Sequence, residues 1–461
     1  MTINEGNILA SFRDPSGYVF CKNGAIYRQI NISYKDNYDH LINSGLYKNL
    51  SDSGLLIPHS EVKMDNGVHQ SAYKIIKPEA IPYISYPYEW CFSQIKDAAL
   101  LTLEIQRKAL GFGMTLKDSS VYNIQFLNGK PIFIDTLSFD KYNESSPWDA
   151  YKQFCQHFLA PLALMGFKDI RFNQLFRVYL DGIPLDLASS LLPLHTYLKF
   201  SLVSHIHFHA KSQNYFADKP IAIRKYNMSR LHLLGLIDNL TSAVKKIKLK
   251  KRETEWIDYY TDTNYSSNAF QDKIQRVSGF IDIIKPKTVW DLGANIGTFS
   301  RIISAKGIQV ISFDVDPNCV ENNYCQCVEK REINILPLLL DLTNPSPGVG
   351  WRHAERMSFI ERGPVDTVIA LALIHHLAIT NNLPLNYIAE FFAQICDSLI
   401  IEFVPKSDSQ VKRLLLNRED IFSAYSEKVF EDQFSNYFDI KTIHRIIDSE
   451  RTLYFMKRKR S

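Results

Sequence analysis

Apolar residues in the C-terminal half fall in short runs at regular intervals. Thr288–Trp290, Val310–Phe313, Ile335–Leu340, Thr367–Ala370 and Ser398–Ile401 are compact segments of strand length. Segments of helical pattern separate them, beginning with Thr298–Ile303. Strand-length runs alternating with helices predict βαβ units and a mostly parallel sheet with helices on both faces. Phe438–Ile446 and Arg451–Lys457 predict two further strands that pair as an antiparallel edge, giving a Rossmann-like seven-stranded sheet.

The N-terminal half has a different rhythm. Gly17–Phe20 and Ala25–Ile30 flank Asn23-Gly24, and Ile124–Phe126 and Pro131–Ile134 flank Asn128-Gly129. Both are hairpin signals. A helix is expected over Tyr38–Leu50, a strand over Tyr73–Ile76, an extended connection over Tyr83–Trp90 and a long helix over Cys91–Leu110. The basic run Lys245–Arg252 reads as a solvated helix end or linker. The expected domains are therefore 1–245, of α+β type, and 246–461, of α/β type. Trp256–Ile284 should be a mostly helical lead-in to the sheet, and its Tyr259, Tyr260 and Tyr265 are candidates to cover a ligand or to pack in the core.

Composition narrows the setting. A chain of 461 residues, 46% hydrophobic and 22% charged, can bury large cores. A formal charge of +4 gives no strong case for nucleic acid as a partner, although the basic run leaves a nucleic-acid or acidic-lipid contact open. The seven cysteines contain no Cys-x-x-Cys, and reduced thiols in a cytoplasmic protein are the simplest account. Met1–Glu5 lacks the basic and apolar regions of a signal peptide. His195 and Lys199 interrupt the apolar stretch Leu187–Val203, so no membrane span is expected. Nothing in the sequence fixes the oligomeric state.

Candidate chemistry sits at the strand ends. Asp291 closes the first strand and is followed by Gly293, Ala294, Asn295 and Gly297 at the entrance to a helix. Glycines let a ligand approach the backbone there, and the first helical turn offers free N–H donors. The order Asp-x-Gly-x-x-x-Gly points to S-adenosylmethionine rather than a dinucleotide. A nicotinamide-dependent enzyme would need a second glycine where Asn295 stands. Asp314, with Asp316 as the alternative, is placed to accept from the ribose hydroxyls. Asp341, with Leu342 beside it, is placed at the adenine. His375 and His376 follow the fourth strand and are candidates for a base, while Glu402 is a candidate to orient an acceptor. No Asn-Pro-Pro-Tyr follows the fourth strand.

A second constellation lies between residues 116 and 135. Asp118, then Asn123 five residues later, then Asp135 after a hairpin are brought together by the order of elements. His205, His207 and His209 alternate and would share one face of a strand, which reads as a polar face rather than a metal site.

These patterns carry two resemblances. The C-terminal part resembles the class I S-adenosylmethionine-dependent methyltransferases. The N-terminal part is similar to the protein-kinase-like superfamily, which implies that Asp118 orients a hydroxyl and that Asn123 and Asp135 hold magnesium, with magnesium–ATP as ligand. Departures weaken that second implication. Arg28 occupies the position of the phosphate-binding lysine, no Gly-x-Gly-x-x-Gly precedes it, and Thr136-Leu137 replaces Phe-Gly. Over nearly its whole length the chain resembles a bacterial methyltransferase family related to a nodulation-associated methyltransferase. The segments that carry this are Tyr86–Trp90, Leu116–Asp118, Tyr122–Phe126, Gln153–Leu162, Leu371–Leu377 and Glu402–Lys406. That resemblance implies methyl transfer to an unidentified small molecule, glycan or macromolecule. The alternatives are a nucleotide-binding or phosphotransfer protein and a non-catalytic scaffold.

Overall fold

The computed structural model describes residues 6–63, 72–144, 146–208, 228–249, 266–416 and 419–459. The chain divides into two units. One is Arg252–Gly348 with Met357–Ser461, and the other is Ile3–Lys251 with Val349–Arg356. Tyr259, Tyr260, Tyr265 and His209 lie outside the described residues.

The N-terminal unit opens with five antiparallel strands: β1 (Gly6–Asn7), β2 (Gly17–Lys22), β3 (Ala25–Asn31), β4 (His59–Val62) and β5 (Ala72–Pro78). Their order is β1-β2-β3-β5-β4. Alternation along β3 turns Arg28 and Ile30 to one face, where Ile30 packs with Tyr34, Tyr38, Ile76 and Leu137. The expected helix over Tyr38–Leu50 is two helices, Lys35–Asn43 and Leu46–Asp52. Gly45, at φ +84°, breaks the run because the left-handed conformation cannot continue a right-handed helix. Strand β4 carries no apolar alternation, which is why the sequence did not announce it.

The helix Phe92–Gly111 forms the spine of the rest of this unit. Its start is fixed by Gln94, whose Oε1 accepts from the Cys91 backbone N–H at 2.9 Å. Most leucine, isoleucine and alanine side chains along it are buried. Two short strand pairs follow: β6 (Met114–Leu116) with β9 (Phe139–Lys141), and β7 (Ile124–Leu127) with β8 (Lys130–Phe133).

His205 and His207 stand in a helical segment, Val203–His207, and not on the expected strand. Both rings are satisfied as core groups. His205 pairs with Tyr151 Oη at 2.7 Å and Asn239 Oδ1 at 2.8 Å, and His207 with Ser189 Oγ at 2.7 Å and Thr196 Oγ1 at 3.0 Å. Among the described residues no helix is long and apolar enough to cross a membrane.

The C-terminal unit is built on β10 (Thr288–Leu292), β11 (Gln309–Asp314), β12 (Ile335–Leu339), β13 (Val365–Ala370), β14 (Cys396–Phe403), β15 (Phe438–Arg445) and β16 (Thr452–Arg458). The sheet order is β12-β11-β10-β13-β14-β16-β15. Strands β10 to β14 run parallel, while β16 pairs antiparallel with both β14 and β15. The parallel strands are buried on both faces, so they read as continuous apolar runs. Helix Ser267–Ile284 packs Val277, Phe280 and Ile281 against Val289, Val310, Ile369 and Ile400 of the sheet.

Close backbone approach makes one glycine of the N-terminal sheet irreplaceable. A Cβ on Gly17 would stand 2.0 Å from the Gln29 carbonyl oxygen and 2.9 Å from Leu137 Cδ1. Gly17→Ala should therefore destabilise this unit by at least about 2 kcal/mol, as overpacking does. Chemical denaturation of the variant measures it, and an unchanged midpoint would contradict the packing described.

Candidate functional site

In the C-terminal unit the strand order reverses at β10, which pairs with β11 on one side and β13 on the other. Ligands in open parallel sheets bind at such a switch point, outside the carboxyl ends of the strands. The turn after β10 carries Gly293 at φ +78°, Asn295 at φ +52° and Gly297 at φ +81°. Its backbone is laced to β11. The Gly293 and Ala294 N–H groups both donate to the Phe313 carbonyl at 2.9 Å, and the Asn295 N–H donates to Asp314 Oδ2 at 2.7 Å.

The second oxygen of Asp314 accepts from the Asp316 N–H at 2.9 Å. Each carboxylate oxygen has a further lone pair, so hydroxyl donors can still be accommodated. Burial outweighs these bonds and pushes the Asp314 carboxyl up to about 6. Asp316 is committed elsewhere. It is the N-cap of helix Pro317–Lys330 and accepts from the Asn318 N–H at 2.8 Å.

Asp291 is buried under the turn and accepts from Ser300 Oγ at 2.6 Å. Gly297 is boxed in, because a Cβ there would lie 2.5 Å from Asn323 Oδ1. Asn323 in turn donates from Nδ2 to Ser312 Oγ at 2.8 Å. Ser300 and Asn323 carried no signal in the sequence, since each sits in an ordinary helical pattern. At the next strand end, the Leu340 N–H donates to the Asp314 carbonyl at 2.9 Å. Asp341 and Leu342 follow, both half-buried, and Asp341 Oδ1 accepts from the Thr343 N–H at 2.8 Å and Oγ1 at 2.7 Å.

The loop after β13 forms the other wall. Leu373 Cδ1 lies 3.4 Å from where a Cβ on Gly293 would stand. His375 is fully buried, and among the described residues neither of its ring nitrogens has a hydrogen-bond partner. Burial holds its pKa well below the ordinary histidine value, and the neighbouring His376, Arg451 and Lys273 act in the same direction. His376 is pushed down to about 4 by burial and then by Arg451, so both rings are neutral at pH 7. Glu402 does not present a free carboxylate. It is fully buried, paired with Lys273 Nζ at 2.7 Å, and accepts from the Ala372 N–H at 2.7 Å.

In the N-terminal unit Arg28 bridges two acids, with Nη1 2.6 Å from Asp135 Oδ1 and Nη2 2.7 Å from Asp14 Oδ2. Asp118 accepts from the Ser120 N–H and from Gln153 Nε2, both at 2.8 Å, and also bonds the Asn123 side chain. Burial first, and then Asp135, raise the Asp118 pKa. Asp118, Asn123 and Asp135 thus share one neighbourhood. They do not fit the magnesium–ATP that the resemblance implied. A guanidinium inside the protein already sits on Asp135, where the metal would need that oxygen. Among the described residues no group of three or more His, Cys, Asp or Glu could hold a metal ion.

The chain is 35% identical to nodulation protein NoeA of Rhizobium meliloti (strain 1021) over 463 residues, covering 98% of this chain and 96% of that protein. No family model matches the chain. Similarity to solved structures is weaker. WbdD, crystallised with a kinase inhibitor, gives a TM-score of 0.30 at 14% identity, with 43% of each chain covered. Magnesium protoporphyrin IX methyltransferase (ChlM) from Synechocystis PCC 6803, with bound SAH, gives 0.32 at 17% identity, covering 44% of this chain and 93% of that one.

Two predictions follow from the charges. Arg28→Ala leaves the partly buried Asp14 and Asp135 without that counter-charge and should cost about 1.5–3 kcal/mol. Adding Asp135→Asn should recover part of that loss in urea denaturation, and wild-type protein should give no binding heat with magnesium–ATP. Recovery of nothing, or a clear magnesium–ATP isotherm, would contradict the bridge.

Asp291 supplies a pH dependence. Burial raises its carboxyl from 3.8 to about 7 against the hydrogen bond from Ser300. The folded state thus holds a proton that the unfolded chain releases. Its contribution to stability is complete below the unfolded value and is lost as pH rises through about 7. Asp291→Asn should therefore gain stability over wild type progressively from pH 4 to pH 8 in thermal melts of the unliganded protein. A gain independent of pH would show that Asp291 is not the titrating group.

Proposed function

The chain belongs to the family of nodulation protein NoeA, and from that footing we propose that it is a class I S-adenosylmethionine-dependent methyltransferase acting on an unidentified acceptor. The observation that carries this reading is the turn Asp291–Gly297 at the sheet's switch point, bonded through Asn295 to the acid that ends β11. S-adenosylmethionine, when bound, supplies a methyl group already activated by its sulfonium centre. The protein's tasks are then to hold the cofactor, align the acceptor in line and exclude water.

Gly293, Ala294, Asn295 and Gly297 would hold the cofactor against backbone, and Asp314 would accept from the ribose. Asp341 and Leu342 would border the adenine. His375 and His376 stand on the loop facing that turn, and burial keeps both rings neutral, so each retains a nitrogen lone pair that can accept a hydrogen bond from an acceptor group. A buried imidazole with two unpartnered nitrogens is costly in a purely structural role, which favours His375 as the group that meets the acceptor. The N-terminal unit, with its acids bridged by Arg28, is read as a kinase-like substrate or regulatory domain that does not transfer phosphate.

Asp314→Ala removes an ionised acceptor for two hydroxyls, worth about 1.5–3 kcal/mol. Isothermal titration with S-adenosylmethionine should show binding weakened by roughly 10- to 100-fold. Unchanged affinity in this variant would overturn the ribose assignment.

A further inference from the structure

We infer that Glu402 is a positioning residue that holds Ala372 in left-handed backbone geometry and thereby sets Leu373 against the Gly293 turn. This rests on the reading of that turn as the cofactor site.

Ala372 has φ +50°, a conformation that costs a residue with a Cβ free energy unless its surroundings enforce it. What enforces it is a hydrogen bond from its N–H to Glu402 Oε2 at 2.7 Å. The acceptor is charged and fully buried, which makes such a bond roughly twice as strong as a neutral one. The same oxygen receives Lys273 Nζ at 2.7 Å. Arg451 Nη1 lies 3.9 Å from the other oxygen and is itself fixed by Asp408, with Nε 2.8 Å from Oδ2.

Four segments meet in this way: helix Ser267–Ile284 through Lys273, strand β14 through Glu402, the start of β16 through Arg451, and the loop after β13 through Ala372. A buried ion pair is a weak source of net stability compared with apolar residues of the same size. Stability alone therefore gives no reason to place four charges here. The strained residue does give one. Ala372 is followed directly by Leu373, whose side chain lies over Gly293. Strain held at the wall of a binding turn is a device for pre-organisation.

The test uses the full chain with Lys273→Met and Glu402→Met together, a swap that removes both charges and the acceptor while keeping volume. Binding of S-adenosylhomocysteine is measured by calorimetry, and exchange of the Ala372 amide by mass spectrometry. The double variant should bind at least tenfold more weakly, with fast Ala372 exchange. Adding Ala372→Gly should recover at least threefold of the lost affinity, because glycine reaches positive φ without strain. A general packing defect would not be repaired by that substitution. Unchanged affinity in the double variant, or a loss that glycine leaves untouched, overturns the role of Glu402.

If the double variant does not fold, Ala372→Gly alone decides. It should melt no lower than wild type, whereas a drop of several degrees would show that Ala372 carries no strain. If wild-type protein binds no S-adenosylhomocysteine, the cofactor reading falls. Protection of the Ala372 amide in wild type, and its loss in the double variant, would still support the bond, and an unprotected wild-type amide would overturn it.

Discussion

Burying a carboxylate costs several kcal/mol unless it is neutralised, hydrogen-bonded or protonated, and each unit of this chain is arranged around that constraint. In the N-terminal unit the partly buried Asp14 and Asp135 are paired with one guanidinium, that of Arg28. In the C-terminal unit Glu402 is neutralised by Lys273, with Arg451 nearby. Asp291 and Asp314 are treated differently. Among the described residues they take hydroxyl and backbone donors but no ion-pair partner, and burial raises both. Acids left short of full compensation beside a glycine turn are where a ligand with hydroxyl donors has most to contribute.

The parallel sheet turns that local chemistry into a site. Reversal of strand order at β10 places the loops after β10 and β13 at the point where open parallel sheets bind their ligands. The first loop presents backbone, because Gly293 and Gly297 carry no side chain and Gly297 is hemmed in by Asn323. The second sets Leu373 over Gly293 and carries two neutral imidazoles, of which that of His375 is fully buried. The N-terminal unit follows another logic. An arginine that satisfies two acids at once leaves little for a metal to gain, and a planar guanidinium cannot be exchanged for lysine without losing one of those partners.

Much of this was legible in the sequence, for reasons of period and position. Strands buried on both faces must be continuous apolar runs, so β10 to β14 stood out. The acids Asp291, Asp314 and Asp341 were conspicuous because each interrupts or ends such a run, and the turn glycines because no other residue type is as tolerant of positive φ. The Asn-Gly hairpins were legible for the same reason. The break at Gly45 was not, since one glycine inside a helical pattern can be tolerated or can end it, and only packing decides.

Tertiary structure alone decided which charges meet. Lys273 and Glu402 lie 129 positions apart, and nothing in their local patterns links them. Arg28 pairs with Asp135 more than a hundred positions along the chain, a partnership that nothing in either local pattern announces. His205 and His207 alternate as a strand face would, yet their ring nitrogens are bonded within a helical packing. Local sequence specifies period, turn and strand end. Which buried acid receives a cation, a backbone N–H or a ligand depends on groups that only the folded chain brings within hydrogen-bonding distance.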